Sequence, residues 1–135
     1  MLKIKCIDGG KLPKWNQQNA GLDLYANEDC IVGKNICKIP LGIATEFPPQ
    51  YVGLIKGRSG LASQGLLILA GVIDSSYRGE WIAAVKNLTD NIIIIKRHDR
   101  ICQVIFPVIL HLQITEVDKL TESIRGSSGF GASGK

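Results

Sequence analysis

The chain has 135 residues, 45% hydrophobic and 21% charged, with a net charge of +4. That length supports one domain with its own core and excludes two of ordinary size, and the balanced composition excludes a disordered or fibrous protein. The positive charge is scattered rather than gathered into a Lys/Arg block, which argues against stable nucleic acid binding and leaves a small phosphate-bearing ligand open.

At the start of the chain, Leu2 and Ile4 alternate with Lys3 and Lys5, a strand pattern over 2–7 with no signal-peptide core. No apolar run approaches the roughly 18 residues of a membrane span, so an intracellular protein without membrane contact is expected. Further short apolar or alternating segments fall at 22–26, 30–32, 36–39, 51–56, 66–69, 81–88, 92–96 and 101–109, cut by Gly, Pro, Asn and Asp. Many short strands with turn residues between them predict an all-β sandwich or barrel. Leu61 to Gln64 is too brief for more than a turn of helix, and Val117 to Ser123 lacks a sustained apolar stripe. The run Ile92 to Ile95 is β-branched throughout, which predicts a strand buried on both faces, in a core or at a subunit contact.

Cys6, Cys30, Cys37 and Cys102 sit on apolar stretches without a Cys-x-x-Cys pair and read as reduced, structural thiols. A zinc site combining them with His98 or His111 lacks ligand spacing. Composition shifts once, at residues 125–135, where an arginine is followed by glycines, serines and a single aromatic. The chain therefore divides into a β domain, 1–124, and a tail, 125–135. Such an end is usually frayed, yet arginine, bare amides and hydroxyls together can also wrap a polyphosphate.

Chemistry concentrates in Ala70 to Trp81. Val72 and Ile73 read as the end of one strand and Trp81 to Val85 as the start of the next, which predicts a hairpin with Asp74 and Tyr77 at its bend. A flat base can lie there against bare backbone; the plainer alternative is a surface turn with one exposed acid. Asp23 alternates with Leu22 and Leu24 and so points away from them. After Gly57, residues Arg58, Ser59 and Gly60 open a helical turn in a way that suits a phosphate. In the segment from Arg97 to Gln103, Gln103 falls on the opposite face from Cys102.

Together these five segments resemble, in order, the five motifs of the trimeric dUTP pyrophosphatase (dUTPase) family, over about Lys3 to Lys135. Residues 20–26, 58–62 and 71–79 meet the family patterns Ala-Gly-x-Asp-Leu-x-Ala, Arg-Ser-Gly-Leu-Ala and Gly-Val-Ile-Asp-x-x-Tyr-Arg-Gly intact. The departures are His98 and Cys102 in the fourth segment, Ser128, Ala132 and Ser133 in the fifth, and Gly57 where the family usually has proline.

The resemblance implies a distorted jelly roll with little helix, assembled as a homotrimer with sites at subunit contacts and each tail closing over a neighbour's site. It implies hydrolysis of dUTP to dUMP and diphosphate, which limits uracil in DNA and supplies dUMP for dTMP synthesis, in the cytoplasm or nucleus. Asp74 would orient the attacking water, and Ala70, Gly71, Val72, Ile73, Tyr77 and Phe130 would hold the base and sugar. Arg58, Ser59, Gly60, Gln103, Arg125, Gly131, Ser133 and Gly134 would bind the phosphates. Mg²⁺ would be held by the triphosphate and water, with no direct protein ligand; Asp23 would stand in its outer sphere or pair with Arg125. Ser128 and Ala132 put tail affinity in question. A dCTP deaminase of the same fold needs a carboxylate where this chain has Ala84; the other alternative is a non-catalytic nucleotide-binding signalling trimer.

Overall fold

The computed structural model describes residues 1–129. In chain order the elements are β1 (Lys3–Cys6), β2 (Leu22–Tyr25), β3 (Cys30–Val32), β4 (Cys37–Pro40), β5 (Ile43–Glu46) and β6 (Gly53–Gly57). There follow the single helical turn α1 (Ser59–Ala62), then β7 (Leu66–Ile68), β8 (Val72–Ile73), β9 (Ile82–Asn87), β10 (Ile93–Ile95) and β11 (Arg100–Ile105). Every strand pair is antiparallel. A four-stranded sheet in the order β2-β11-β6-β8 packs with a three-stranded sheet, β4-β9-β7, and two short pairs, β1-β5 and β3-β10. This is the all-β architecture that the strand pattern predicts, in the distorted jelly-roll form that the resemblance implies. No helix among the described residues is long and apolar enough to cross a membrane.

Alternation decides what lies inside. Leu22 and Leu24 of β2, Ala83 and Val85 of β9, and Val104 of β11 are buried while their neighbours face out, as the period of two requires. Trp81, only 1% exposed, anchors the centre with Phe106, which also meets Phe47 edge to face at 5.1 Å. β5 is the strand the sequence pattern does not announce. Ile43, Ala44 and Thr45 are all buried, so no apolar-polar alternation marks it.

Two expectations are corrected. Val72–Ile73 and the strand after Trp81 form no hairpin ladder: β8 pairs with β6, whereas β9 pairs with β4 and β7. The cause is Trp81, whose N–H donates to Ile43 O and whose carbonyl accepts from Leu41 N, drawing the chain into the other sheet. The isoleucine run is buried on one face only. Ile93 and Ile95 are inside, but Ile94 is 58% exposed and stands opposite Ile31, itself 67% exposed. Among the described residues β10 has one partner strand and nothing covers its outer face, so burial on both faces would need further chain, such as another subunit.

A buried amide locks the fold near this pair. Asn87, 2% exposed, donates to Val32 O at 3.0 Å and to Asn91 O at 2.6 Å, while its Oδ1 accepts from the Thr89 amide and hydroxyl. Asn87→Ala leaves these groups without partners and is expected to cost about 2–3 kcal/mol. The check is a lower urea midpoint with an unchanged m-value.

The thiols are free but not alike. Cys102 is buried, Cys6 is exposed, and Cys30 and Cys37 are half-buried. The expectation that all four lie in apolar surroundings therefore holds for Cys102 and fails for Cys6, which β1 turns outward. Among the described residues no group of three or more His, Cys, Asp or Glu could hold a metal ion.

Candidate active site

β2, β6 and β11 lie side by side and bring one acid among two arginines. Asp23 and Gln103 are register partners across β2 and β11, and Gln103 opposes Lys56 of β6. The Arg58 Nε donates to Asp23 Oδ1 at 3.0 Å, and Arg100 NH1 donates to Oδ2 at 3.2 Å. Arg58 also donates to the Arg100 carbonyl at 3.0 Å. With a side-chain exposure of 20%, Asp23 orients two partly exposed cations that an anion can still approach. Within one chain its oxygens are engaged by Arg58 and Arg100 and not by Arg125.

Sequence reasoning passed over Arg100 as a site residue. A register shift between Arg100 and Cys102 is a bulge that re-aims a side chain, and it sets Arg100 over Asp23. Gln103 donates to Gly57 O at 3.0 Å. A Cβ at Gly21 would collide with the Gln103 amide, so the glycine of the Ala20-Gly21 pair makes room for that side chain. Beneath the cluster, burial first and the nearby Asp23 charge second push the Cys102 thiol up to about 12, against a smaller opposing pull from Arg58. That thiol is inert packing.

A cleft of about 340 Å³ is lined by Arg58, Gly60, Ile94, Ile95, Asp99 and Arg100, among others. Arg58 is the N-cap of α1, and open space lies beyond Gly60. The first-turn N–H groups of such a helix have no intrahelical acceptor. Two guanidinium groups, free amides and an open cleft have the chemistry to receive an anion.

The bend after β8 forms a second cleft, of about 230 Å³, lined by Val72, Ile73, Asp74, Tyr77, Glu80 and Ile82. β8 is the edge strand of its sheet, so half its backbone groups point away from β6 and can pair with a ligand. Ala70 (φ 45°) and Gly71 (φ 127°) turn the chain into it. A Cβ at Gly71 would press on Ile55, whose N–H donates to Gly71 O at 2.8 Å. Asp74 is exposed, and its carbonyl accepts from the Tyr77 amide at 3.1 Å.

Tyr77 lies over Gly79: a Cβ there would stand inside the tyrosine ring. Its hydroxyl donates to Glu80 O at 3.1 Å, and the Glu80 carboxylate accepts from Gly42 N at 2.9 Å. Glu80 thus fastens the bend to the β4–β5 turn. Sequence reasoning missed it, because a glutamate beside a tryptophan carries no signal of its own.

The two clefts share no lining residue. Arg125, at the start of the tail, donates to Ser128 O at 3.0 Å and touches neither cleft. The expected site residues Phe130, Gly131, Ser133 and Gly134 lie outside the described residues. A separate apolar cleft lined by Leu2, Trp15, Phe47, Pro48, Tyr51 and Phe106, with Met1 at its rim, offers no charged side chain.

Comparison with known proteins adds an independent line. A family profile described as dUTPase matches residues 11–134. The chain is 40% identical to a deoxyuridine 5'-triphosphate nucleotidohydrolase of Caldanaerobacter subterraneus subsp. tengcongensis, over 99% of this chain and 97% of that one. Among solved structures it is similar to a mutant dUTPase of Staphylococcus bacteriophage 80alpha with dUpNHpp: TM-score 0.90 and 25% identity, covering 100% of this chain and 99% of the other. It also matches a mutant dUTPase from phage phi11 of S. aureus, described with the coordination of a structural Mg(II) ion. That match has TM-score 0.82 and 22% identity, covering 90% of this chain and 99% of the other.

Proposed function

The chain belongs to the dUTPase family and hydrolyses dUTP to dUMP and diphosphate, and on that premise we propose how its residues share the work. The β8 bend takes the uracil and sugar: the open edge at Val72 and Ile73 reads the base, and the Tyr77 ring packs under the deoxyribose. The cleft lined by Arg58, Gly60 and Arg100 takes the phosphates, helped by Ser59 of α1 and Gln103 of β11. Asp74 accepts a proton from the water that attacks the α-phosphorus, and the α–β bridging oxygen departs with the diphosphate. Charge growing on that leaving group is met by fixed guanidinium and amide donors.

The observation that carries this reading is the division of labour between two clefts with no residue in common. With the two parts on separate clefts of one chain, the reading has a second copy bring its Asp74 bend to the first copy's arginines. We place the site at subunit contacts of a homotrimer. The outward faces of Ile31 and Ile94 supply apolar surface suited to such a contact. The tail from Arg125 onward then closes over a neighbouring site, with Phe130 on the base and Gly131, Ser133 and Gly134 on the phosphates. A triple-mass particle in light scattering is expected; a monomer that turns over dUTP would overturn the shared site.

Mg²⁺ entering with the triphosphate would supply charge neutralisation at the phosphate oxygens, beside the donors of Arg58, Gly60 and Arg100. Both oxygens of Asp23 are held by arginines, so this acid would face the ion through water rather than as a direct ligand. The test of the whole reading is diphosphate release with Mg²⁺: from dUTP, and little from dTTP, dCTP or UTP. Ammonia released from dCTP would instead favour a deaminase, although Ala84, a β9 residue paired with Lys38, gives that chemistry no carboxylate.

Gly79 provides a finer check. If the Tyr77 ring excludes a 2′-hydroxyl, a methyl at Gly79 displaces the ring and relaxes the exclusion. Gly79→Ala is expected to raise the ratio of kcat/KM for UTP over dUTP by about tenfold. An unchanged ratio would remove Tyr77 from sugar selection.

A further inference from the structure

Two thiols outside the site stand against each other. Cys30 opens β3 and Cys37 opens β4, strands that belong to different sheets, yet their Sγ atoms are 3.1 Å apart. Neither lines the phosphate cleft or the bend. From this juxtaposition we infer that Cys30 and Cys37 are a reversible disulfide site, oxidised by exchange with a small-molecule disulfide and joining two sheets of the sandwich. The inference does not depend on the nucleotide reading.

The geometry asks for little. A disulfide brings its sulfurs to about 2.05 Å, so the side chains have roughly an ångström to close. Burial first, then the hydrogen bond with Cys37, pushes the Cys30 thiol up to about 12. Burial thus disfavours the Cys30 thiolate, and in the first step Cys37 gives its proton to solvent and attacks. Its thiolate sulfur attacks one sulfur of oxidised glutathione and expels one glutathione thiolate, leaving a mixed disulfide on Cys37. Cys30 then gives its proton to solvent, and its sulfur attacks Cys37 Sγ and expels the second glutathione thiolate. In balance, the two protein thiols lose two protons and two electrons, and the small disulfide gains both electrons and becomes two thiols.

The bond reaches toward the site through the sheet. β3 pairs with β10, and Ile94 and Ile95 of β10 line the phosphate cleft. Oxidation thus ties one wall of that cleft to β4 and, through it, to β9.

The other two cysteines serve as controls. The full chain is treated with oxidised glutathione, free thiols are alkylated, and the protein is cut with trypsin. Cleavage after Lys34 places Cys30 and Cys37 on separate peptides. The expected result is those two peptides joined, exposed Cys6 carrying glutathione, and buried Cys102 alkylated only after unfolding, with dithiothreitol releasing the pair. Cys37→Ser should abolish the joined species while Cys6 is still modified. Glutathione on both Cys30 and Cys37, or both thiols free once Cys6 is converted, would overturn the inference.

Discussion

Replacing Asp74 with asparagine is expected to lower kcat for dUTP by roughly 10²–10⁴-fold, the usual worth of a positioned general base, with nucleotide affinity nearly unchanged. The amide keeps the shape of the carboxylate and can still hold a water, but it cannot accept the proton that must leave as the oxygen bonds to phosphorus. Asp74 is exposed at the bend, and its backbone carbonyl, not its side chain, caps the turn to Tyr77. The substitution therefore leaves the bend and the core intact. Diphosphate release under saturating dUTP reads the loss, and titration with dUpNHpp reads the affinity. Turnover within tenfold of the unaltered chain would show that water is activated elsewhere. A matching loss of affinity would make Asp74 a binding group instead.

The strands were legible because alternation writes itself into β2, where Leu22 and Leu24 are inside, and into β9, where Ala83, Val85 and Asn87 are. β5 escaped because Ala44 and Thr45 are covered on both sides, and small or weakly polar residues buried on both faces leave no period to read. The bend was legible as a turn and misread as topology. Its acid, tyrosine and glycines are local, but the choice of sheet for β9 depends on backbone bonds from Trp81 to Leu41 and Ile43, which no local pattern records. Arg100 shows the same limit at a single residue. It belongs to a recognisable segment, yet only the bulge beside it aims its guanidinium at Asp23. The isoleucine run named its own strand but not its surroundings: composition cannot tell a face covered by the same chain from one left for another.

Deleting residues 125–135 is expected to lower kcat/KM for dUTP by about a hundredfold, comparable to removing one fixed donor from a developing oxyanion, while the particle keeps its mass. Residues 111–129 are exposed throughout. Among the described residues the hydrogen bonds of Arg125 and Gly126 run to Ser123 and Ser128 and reach no strand. Truncation therefore takes no described residue from the core, and the melting temperature should stay where it was. What it removes is a guanidinium, glycine amides and the hydroxyls of Ser127, Ser128 and Ser133, the donors suited to a triphosphate. Ser128 and Ala132 stand where the family pattern has glycine and a hydroxyl residue, so Ala132→Ser should strengthen closure in the full chain and lower KM. Light scattering, thermal unfolding and diphosphate release on the truncated chain separate the cases. Full activity would make the tail a frayed end, and loss of the trimer would make it part of the assembly rather than of the reaction.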